Sequence, residues 1–416
     1  MDSTNALQQP GTNIAAGLLY RWLLRRLRRL PLSRLELVRP DGHVHRLGTL
    51  TRDIPVARIE LLGYTGIFKA IKGGMMGWAE AYITNDWDTP DLFAVTNWAM
   101  ANQQPLGEAF SGTFLVKRLE RLNHYLRKNT RRGSRKNIQA HYDLGNAFYQ
   151  QWLDSSMTYS SGLYLQASDS LEQAQRNKYQ RILELLDVKA QQQILEIGCG
   201  WGGFAEQLAS TTHVHSYTGI TLSDEQLNYA RARLPEERAQ YRFILQDYRD
   251  LHKPVDRIVS IEMIEAVGEE HWAEYFSQLH QCLKKEGRVV VQAITIADER
   301  FEQYRQGTDF IQKYIFPGGF LPSDKAFRQA AANARLAVTH SERFGSDYAR
   351  TLHHWHKQFN RHWPEIAALG FDERFRRMWN YYFAYCQAGF QVDSINVRLY
   401  VLEHEQSSIE MSEAAQ

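Results

Sequence analysis

The sequence contains few cysteines and no recognisable metal motif. Only Cys199, Cys282 and Cys386 occur among 416 residues, and none has CxxC spacing. This pattern excludes a disulfide framework and a cysteine zinc site, and it is typical of a reducing compartment. None of the 15 histidines forms an H-x-x-x-H motif supported by a carboxylate. We therefore expect no metal site.

Long apolar runs are also missing. No stretch reaches the 18 or so apolar residues that a membrane span needs. Residues 14–24 are apolar, but Arg21 interrupts them and basic residues follow them, which is the reverse of a secretory signal. The composition, 44% hydrophobic and 23% charged with a net charge of +2, is that of a globular protein. Its length predicts two domains, and we expect a cytoplasmic protein.

Basic residues are concentrated in two stretches. Residues 14–30 predict an amphipathic helix with apolar residues at three- and four-residue steps and five arginines. The apolar set is Leu19, Trp22, Leu23, Leu27 and Leu30, and the basic set is Arg21, Arg25, Arg26, Arg28 and Arg29. Such a helix either lies on an anionic membrane surface or packs on its own domain with a solvated basic face. Composition favours neither interpretation.

The second basic stretch, residues 117–136, carries nine basic residues against Glu120 alone. Such a run can bind nucleic acid or anionic lipid headgroups. Because no recognition-helix pattern or RNA-binding aromatic motif surrounds it, we expect no nucleic-acid partner and favour the membrane.

The amino-terminal part predicts a small α+β domain. Residues 34–47 indicate a hairpin that turns at Asp41-Gly42, and residues 57–61 indicate another strand. Short helices broken at Gly73-Gly74 follow, and Asp88 or Thr89 before Pro90 begins a further helix. We assign residues 1–115 to this domain, 116–137 to a basic linker, and 406–416 to a tail.

Residues 138–405 predict a second, larger α/β domain. Strands and helices alternate there, which indicates a parallel sheet covered by helices. The predicted strands are 193–198, 216–221, 241–246, 255–261, 288–295, 336–343 and 396–403, with helices at 203–210, 224–233 and 270–283. Seven strands fit a doubly wound sheet of the class I S-adenosylmethionine (SAM) methyltransferase type.

A glycine-rich turn follows the first of these strands, in the sequence QILEIGCGWGGF. Glycines permit positive φ and a close approach of backbone to a ligand. The spacing matches the dinucleotide pattern G-x-G-x-x-G, which expects an acidic residue about 20 positions on to hold a ribose hydroxyl. The second strand instead ends at Thr221, with Ser223 and Gln226 beyond. Glu196 before Gly198, and the additional glycine at 202, resemble the first motif of SAM methyltransferases, and we favour SAM over a dinucleotide.

Four motifs in order give the chain a family resemblance. HYDLGN (141–146), GCGWGG (198–203), QDYRDL (246–251) and KYIFPGG (313–319) resemble those of the cyclopropane-fatty-acyl-phospholipid synthase family, which includes the mycolic acid cyclopropane synthases. The resemblance covers residues 55–404. It implies an enzyme that transfers the methyl group of SAM to a cis double bond of an unsaturated phospholipid acyl chain and closes a cyclopropane ring.

The resemblance also implies which residues bind the cofactor SAM. The matched positions are Tyr159, Ser160, Glu196, Gly198, Gly200, Gly202, Thr221, Gln226, Asp247 and Tyr248. Thr221 and Gln226 match the ribose side, and Asp247 and Tyr248 match the adenine side. Gln226 has a second interpretation, because Ser223-Asp-Glu-Gln226 is also a helix capping box; we favour the ribose role.

At the reacting end, the resemblance implies a site for bicarbonate as the base. Glu265, Tyr348 and Ile294 match that site, and we favour Glu265 over Glu262 as its carboxylate. A carbocation on the chain would be stabilised by aromatic faces. The candidates are Tyr304, Tyr314, Phe316, Tyr381 and Phe390.

Two positions depart from the family pattern. Ser161 replaces a usual cysteine and Gln292 a usual histidine, and both keep hydrogen-bonding capacity. The sequences EAVGEEHW and QAITI near them resemble those of a branch that includes plant cyclopropane synthases and some bacterial enzymes forming methylene- or methyl-branched acyl chains. Methyl transfer is expected, and the final product stays open between these and a cyclopropane.

The expected partners are unsaturated phospholipid acyl chains and the anionic inner face of a membrane, to which the enzyme binds peripherally. A homodimer is a further expectation. The rival activity is N-methylation of a small amine, because enzymes of that kind share this scaffold.

Overall fold

The computed structural model describes residues 10–110, 144–234 and 238–405. The predictions made for residues 117–136 and 406–416, and for most of residues 1–13, lie outside these ranges. Two compact units make up the chain. The amino-terminal unit comprises Met1–Leu122 and Phe371–Val392, and the sheet unit comprises Asn123–Gly370 and Asp393–Gln416.

The amino-terminal unit combines helices with a four-stranded sheet. Its elements before residue 111 are α1 (Pro10–Leu27), β1 (Leu35–Val38), β2 (Val44–Leu47), β3 (Ala57–Leu61), α2 (Thr65–Ile83), β4 (Trp87–Asp88), α3 (Leu92–Ala101) and α4 (Gln103–Phe110). The strand order is β2-β1-β3-β4. Strands β1 and β2 are antiparallel, and Gly42 has a φ of 84° at their turn. The predicted hairpin is confirmed.

Two local predictions in this unit have different outcomes. Helix α2 has a non-helical residue at Gly74, with φ 57° and ψ −136°, as the predicted break requires. Helix α3 begins later than predicted, because Asp91 is its N-cap and accepts a hydrogen bond from Ala94 N at 3.0 Å. The prediction of Asp88 or Thr89 as the start was wrong, since Thr89 Oγ1 instead accepts from Asp91 N.

Helix α1 has both a packed side and an exposed side. Tyr20, Leu24 and Leu27 are buried, whereas Leu18 and Trp22 are 56% and 41% exposed. The five arginines of residues 21–29 are exposed too. The helix therefore packs on its own unit through one side and presents Leu18 and Trp22 together with arginines on the other.

The sheet unit contains the remaining helices and strands apart from one helix. Its elements are α5 (Asn146–Tyr149), α6 (Leu171–Leu186), β5 (Gln193–Ile197), α7 (Gly203–Thr211), β6 (Ser216–Thr221), α8 (Asp224–Arg233), β7 (Tyr241–Leu245), β8 (Val255–Ile261), α9 (Trp272–Cys282), β9 (Leu283–Ile296), α10 (Asp298–Arg305), α11 (Phe310–Tyr314), α12 (Asp324–Asn333), β10 (Leu336–Arg343), α13 (Gly345–Arg361), α14 (Trp363–Ala368) and β11 (Ile395–His404). Short 3₁₀ turns lie at Tyr248–Asp250, Ile264–Ala266 and Glu269–His271.

The seven strands form one sheet in the order β10-β11-β9-β8-β5-β6-β7. The pairs from β9 through β7 are parallel, and β11 is antiparallel to both of its neighbours. The central strands are covered on both faces, and Val289, Val290 and Val291 are fully buried. Continuous apolar runs of this kind are typical of buried parallel strands. The predicted doubly wound seven-stranded fold is confirmed.

One strand is longer than predicted. Strand β9 begins at Leu283, directly after α9, whereas the apolar pattern indicated 288–295. After the buried Leu283, its next three residues, Lys284, Lys285 and Glu286, are charged and exposed, and its register with β8 shifts between Val255 and Arg257. The bulged extension therefore has no apolar pattern by which it could be recognised.

A late segment of the chain belongs to the amino-terminal unit. Helix α15 (Glu373–Gln391) accepts a hydrogen bond at Ala384 O from Thr96 Oγ1, at 3.0 Å. Its Arg377 donates to Tyr82 O and Trp87 O, at 2.6 and 2.8 Å. The sequence pattern places these residues in the larger domain, 138–405, whereas the structure groups Phe371–Val392 with the amino-terminal unit.

Candidate active site

The predicted site residues gather at the carboxyl edge of the sheet. Gly198 follows β5, Thr221 ends β6, Glu262 follows β8, and Gln292 lies on β9 opposite Ile261. Because these four strands are parallel, their carboxyl ends meet at the same edge, where open α/β sheets bind ligands.

The glycine turn after β5 has a conformation that requires glycine. Gly198 has a φ of 83°, and a Cβ there would lie 3.0 Å from Met263 Cγ. Its amide and that of Cys199 both donate to Ile220 O at 3.0 Å. Gly200 and Gly202 also have positive φ, and the space beside Gly200 is open. The turn therefore leaves room for a ligand against its backbone.

Glu196 points into the interior rather than into open space. It is 2% exposed, and it accepts a hydrogen bond from the Tyr217 hydroxyl on β6. Burial raises the pKa of Glu196 to about 8, although the hydrogen bond from Tyr217 and the charge of Lys178 oppose this shift.

The two residues assigned to the ribose side are joined to each other. Thr221 Oγ1 donates to Gln226 Oε1 at 2.9 Å, and both residues are buried. Ser223 Oγ accepts from Gln226 N at 3.3 Å and so caps α8. The cap thus uses the Gln226 backbone, while the Gln226 side chain faces Thr221.

The residues assigned to the adenine side form an ion pair and a packing contact. Asp247 accepts from Arg249 Nε and Nη2 at 2.9 and 2.7 Å, and it caps the 3₁₀ turn through Arg249 N. Tyr248 is buried with its ring edge-on to Tyr275. Both lie just beyond β7, at the same edge as the glycine turn.

The segment before the glycine turn is held by two polar residues of α6. Ser160 Oγ accepts from Lys178 Nζ at 2.7 Å, and Ser160 O accepts from Gln175 Nε2 at 2.8 Å. Lys178 is fully buried, which lowers its pKa to about 7, while the charges of Glu262, Asp154 and Glu196 oppose the shift. We did not predict either residue. The available signal was a polar pair three residues apart on the otherwise apolar face of α6.

Glu262 is the centre of the hydrogen-bond network at the reacting end. Its Oε1 accepts from Ser161 N at 2.9 Å and from Gln292 Nε2 at 2.7 Å. Its Oε2 accepts from the Tyr348 hydroxyl at 2.7 Å. The backbone of Glu262 has a φ of 49°. Three of the residues predicted for the catalytic site therefore converge on this carboxylate.

Glu265, the carboxylate favoured by the sequence, has fewer partners. Its Oε1 accepts from Ile294 N at 2.6 Å, and its Oε2 has no hydrogen-bond partner among the described residues. Burial, followed by the charge of Glu262, raises the pKa of Glu265 to about 8. Its backbone carbonyl accepts from Phe320 N at 2.8 Å, which connects it to the KYIFPGG segment.

The residues fit the two expected ligands differently. Open space at Gly200 and the polar pair at the end of β6 fit a nucleoside cofactor such as SAM. Tyr348, which the resemblance assigns to the bicarbonate site, instead donates to Glu262, as do Ser161 N and Gln292 Nε2 at the two departing positions. The arrangement therefore does not fit an additional bicarbonate at these groups.

Aromatic rings surround Tyr159 beside this network. Its ring centroid lies 5.3 Å from those of Trp152 and Trp355, 5.6 Å from Tyr149 and 6.1 Å from Phe316. Among the predicted cation-stabilising residues, Phe316 is in this group. Tyr304 and Tyr314 pack on Phe320 and Phe310, and Tyr381 and Phe390 lie on α15 of the amino-terminal unit.

Comparison with known proteins identifies the family. Residues 129–400 match the family model described as mycolic acid cyclopropane synthetase. The tuberculostearic acid methyltransferase UfaA1 of Mycobacterium tuberculosis is 34% identical, over 80% of this chain and 79% of its own. The cyclopropane-fatty-acyl-phospholipid synthase of Escherichia coli K12 is 35% identical, over 79% and 83%.

The fold has a solved counterpart in the same family. The mycolic acid cyclopropane synthase CmaA1, in a complex with SAH and CTAB, superposes with a TM-score of 0.60 and 29% identity. The superposition covers 64% of this chain and 97% of CmaA1. The chain therefore belongs to the mycolic acid cyclopropane synthetase family of SAM-dependent methyltransferases.

Proposed function

We propose that the enzyme adds a methylene group from SAM across the cis double bond of unsaturated phospholipid acyl chains. The observation that carries this proposal is the extent of the match with the E. coli phospholipid enzyme. This match covers 79% of the chain. Residues 138–405 alone are a smaller share of the chain than that, so the match extends into the amino-terminal part. The substrate class is thus supported by a relative similar in both parts of the chain.

The site has the properties that this chemistry requires. When bound, SAM supplies an electrophilic methyl group, and an alkene that accepts it is left with a positive charge on its second carbon. Aromatic faces around Tyr159 stabilise such a charge. Buried side chains around them exclude water, which would otherwise trap the cation. A carboxylate then removes a proton from the added methyl carbon, and the C–H electron pair closes the ring.

A second product is favoured by a specific observation. The relative UfaA1 is named a tuberculostearic acid methyltransferase, and this chain has Ser161 and Gln292 at the two departing positions. If a 1,2-hydride shift first moves the positive charge onto the carbon that carries the new methyl group, loss of a methyl proton leaves a methylene-branched chain. Reduction of that double bond by an external hydride donor then gives a methyl branch. The two outcomes share the methyl-transfer step and the methyl proton that is removed, and they differ in whether the hydride shift precedes its removal.

Membrane association is the second part of the proposal. No helix in the described residues is long and apolar enough to cross a membrane. Helix α1 presents Leu18, Trp22 and arginines on its exposed side. This combination of apolar and basic residues favours binding in the plane of an anionic bilayer. We propose that the enzyme works in the cytoplasm, peripherally on the inner membrane face.

The test uses the full chain with labelled SAM and vesicles of dioleoyl phosphatidylglycerol. We expect label in the acyl chains, and NMR of the released fatty acids distinguishes cyclopropane protons from vinylic ones. Saturated dipalmitoyl phosphatidylglycerol is the control and should accept no label. Methylation of small amines with no transfer to unsaturated lipid would overturn the proposal.

A further inference from the structure

The carboxylate of Glu262 has the surroundings of a bound anion. Three donors from distant parts of the chain converge on it: Ser161 N, Gln292 Nε2 and the Tyr348 hydroxyl, at 2.7–2.9 Å. Lys178 adds a buried positive charge that favours the ionised carboxylate. Backbone amide, side-chain amide and phenol donors of this kind are suited to a carboxylate or a carbonate.

The network leaves Glu262 able to act on a ligand. A carboxylate has about four lone-pair directions, and three are used by the donors. Glu262 as a residue keeps part of its surface accessible, whereas the Oε2 atom of Glu265 is buried. The fourth lone-pair direction of Glu262 is not used by these three donors and is the one from which it can accept a proton.

The two neighbouring carboxyl groups have different protonation preferences. Burial raises the pKa of both, but three hydrogen bonds and Lys178 oppose the shift at Glu262. At Glu265 the negative charge of Glu262 raises the pKa further. The hydrogen bond from Ile294 N opposes this rise. One negative charge shared by this pair is thus more stable on Glu262, which makes Glu262 the base and Glu265 the acid.

We infer that Glu262 occupies the anion position of the active site and is itself the proton acceptor, so that the enzyme needs no bicarbonate. The inference rests on the proposed lipid methyl transfer. In the step assigned to Glu262, a C–H bond of the added methyl group breaks and its electron pair forms the bond to the cationic carbon. The proton goes to a Glu262 oxygen. The same carboxylate serves the methylene-branched product, in which a 1,2-hydride shift places the charge on the methyl-bearing carbon before the added methyl group loses its proton to Glu262.

The backbone conformation at Glu262 allows its side chain to be removed without straining the turn. Its φ of 49° is in the left-handed region, which glycine adopts without strain. The substitution Glu262→Gly therefore removes the carboxylate, frees the three donors and leaves the turn intact. Glu262→Gln keeps the size of the side chain but removes its charge. Glu270→Gln, on the exposed surface of the same β8–α9 connection, is the matched control.

The experiment measures methyl transfer to dioleoyl phosphatidylglycerol vesicles in buffer freed of CO₂, with or without 20 mM sodium bicarbonate, and SAH affinity by calorimetry. Wild-type and E270Q protein should be equally active in both buffers. E262Q should lose at least 100-fold in activity and keep its SAH affinity within about threefold. E262G should be equally inactive without CO₂ and recover at least tenfold with bicarbonate or formate.

A second measurement, the melting temperature, does not depend on catalytic activity. Bicarbonate should raise the melting temperature of E262G relative to equal sodium chloride, and should not raise that of the wild type, whose donors are occupied. Wild-type activity that falls tenfold without CO₂, or E262Q activity near wild type, overturns the inference while leaving the proposed function standing. If wild-type protein modifies no lipid, the proposed function fails. The inferred anion position is then judged on the melting temperatures alone.

Discussion

Lys178 donates a 2.7 Å hydrogen bond from Nζ to Ser160 Oγ, and the side chains of both residues are buried. This contact fixes the segment that carries Tyr159, Ser160 and Ser161 against helix α6. Lys178 also provides a positive charge near Glu262, Asp154 and Glu196. A single buried lysine thus supports the geometry of the site and, when protonated, opposes the rise that burial causes in the pKa of Glu262, Asp154 and Glu196.

The first prediction concerns removal of this charge. Lys178→Met keeps the apolar length of the side chain but leaves the neighbouring carboxylates without a buried cation. We expect a loss of about 3–5 kcal/mol in the free energy of unfolding, measured with urea. Lys189→Met, which removes an exposed lysine paired with Asp187 at the surface, should cost no more than about 1 kcal/mol. Equal stability of both variants would show that Lys178 is not needed to balance the carboxylates.

The second prediction is a pH dependence caused by Glu265. Its pKa is raised from 4.5 to about 8 in the folded protein, so the folded state holds a proton that the unfolded state releases between these values. The contribution of Glu265 to the free energy of unfolding is therefore largest below pH 4.5, and it decreases as the pH rises from 4.5 to about 8. Relative to Glu265→Gln, the wild type should lose on the order of a few kcal/mol between pH 5 and pH 8.

Urea unfolding at pH 5.5, 6.5 and 7.5 measures this difference directly. The exposed Glu286→Gln variant is the control and should follow the wild type at each pH. Parallel curves for wild type and E265Q would mean that Glu265 ionises in the folded protein much as it does in the unfolded chain.

The third prediction separates the two roles of Gln226. Ser223 caps α8 through the Gln226 backbone, whereas the Gln226 side chain faces Thr221. Gln226→Ala should therefore keep the α8 cap but lower the free energy of unfolding by about 1–3 kcal/mol, because the buried Thr221 hydroxyl loses its acceptor. It should also weaken SAH binding about tenfold, which corresponds to one lost hydrogen bond. Asn228→Ala, exposed on the same helix, should change neither quantity. Unchanged SAH affinity of Q226A would remove Gln226 from the cofactor site.

Much of the sheet could be predicted because its signal is local. Strands β6 and β8 have the predicted bounds, since apolar residues bounded by turns identify buried strands without knowledge of their neighbours. The glycine turn after β5 was recognisable for the same reason. The edge strand β10 also has the predicted bounds, although only Leu336 of it is buried. Helix α15 shows the limit, because nothing in its own sequence indicates that it packs with α3 of the amino-terminal unit.

The central carboxylate of the site could not be chosen from the sequence. Glu262 and Glu265 are three residues apart in the same turn, so spacing does not distinguish them. The difference arises from partners that are 30, 86 and 101 residues away in the chain, Gln292, Tyr348 and Ser161. It also depends on the positive φ of Glu262, which no side-chain pattern reveals. Long-range contacts of this kind require the fold.

The last prediction tests α1 as the membrane contact. Trp22 is 41% exposed and has Arg26 over its ring at 5.4 Å, so an indole and a guanidinium are presented together. Trp22→Ser should weaken binding to dioleoyl phosphatidylglycerol vesicles about tenfold in a sedimentation assay, because the indole no longer enters the interface. Leu369→Ser, which removes an exposed leucine from the sheet unit, is the control and should bind as the wild type does. SAH affinity should stay unchanged in both variants. If W22S binds vesicles as tightly as the wild type at 0.1 M salt, the exposed side of α1 is a solvated surface and another part of the chain contacts the lipid.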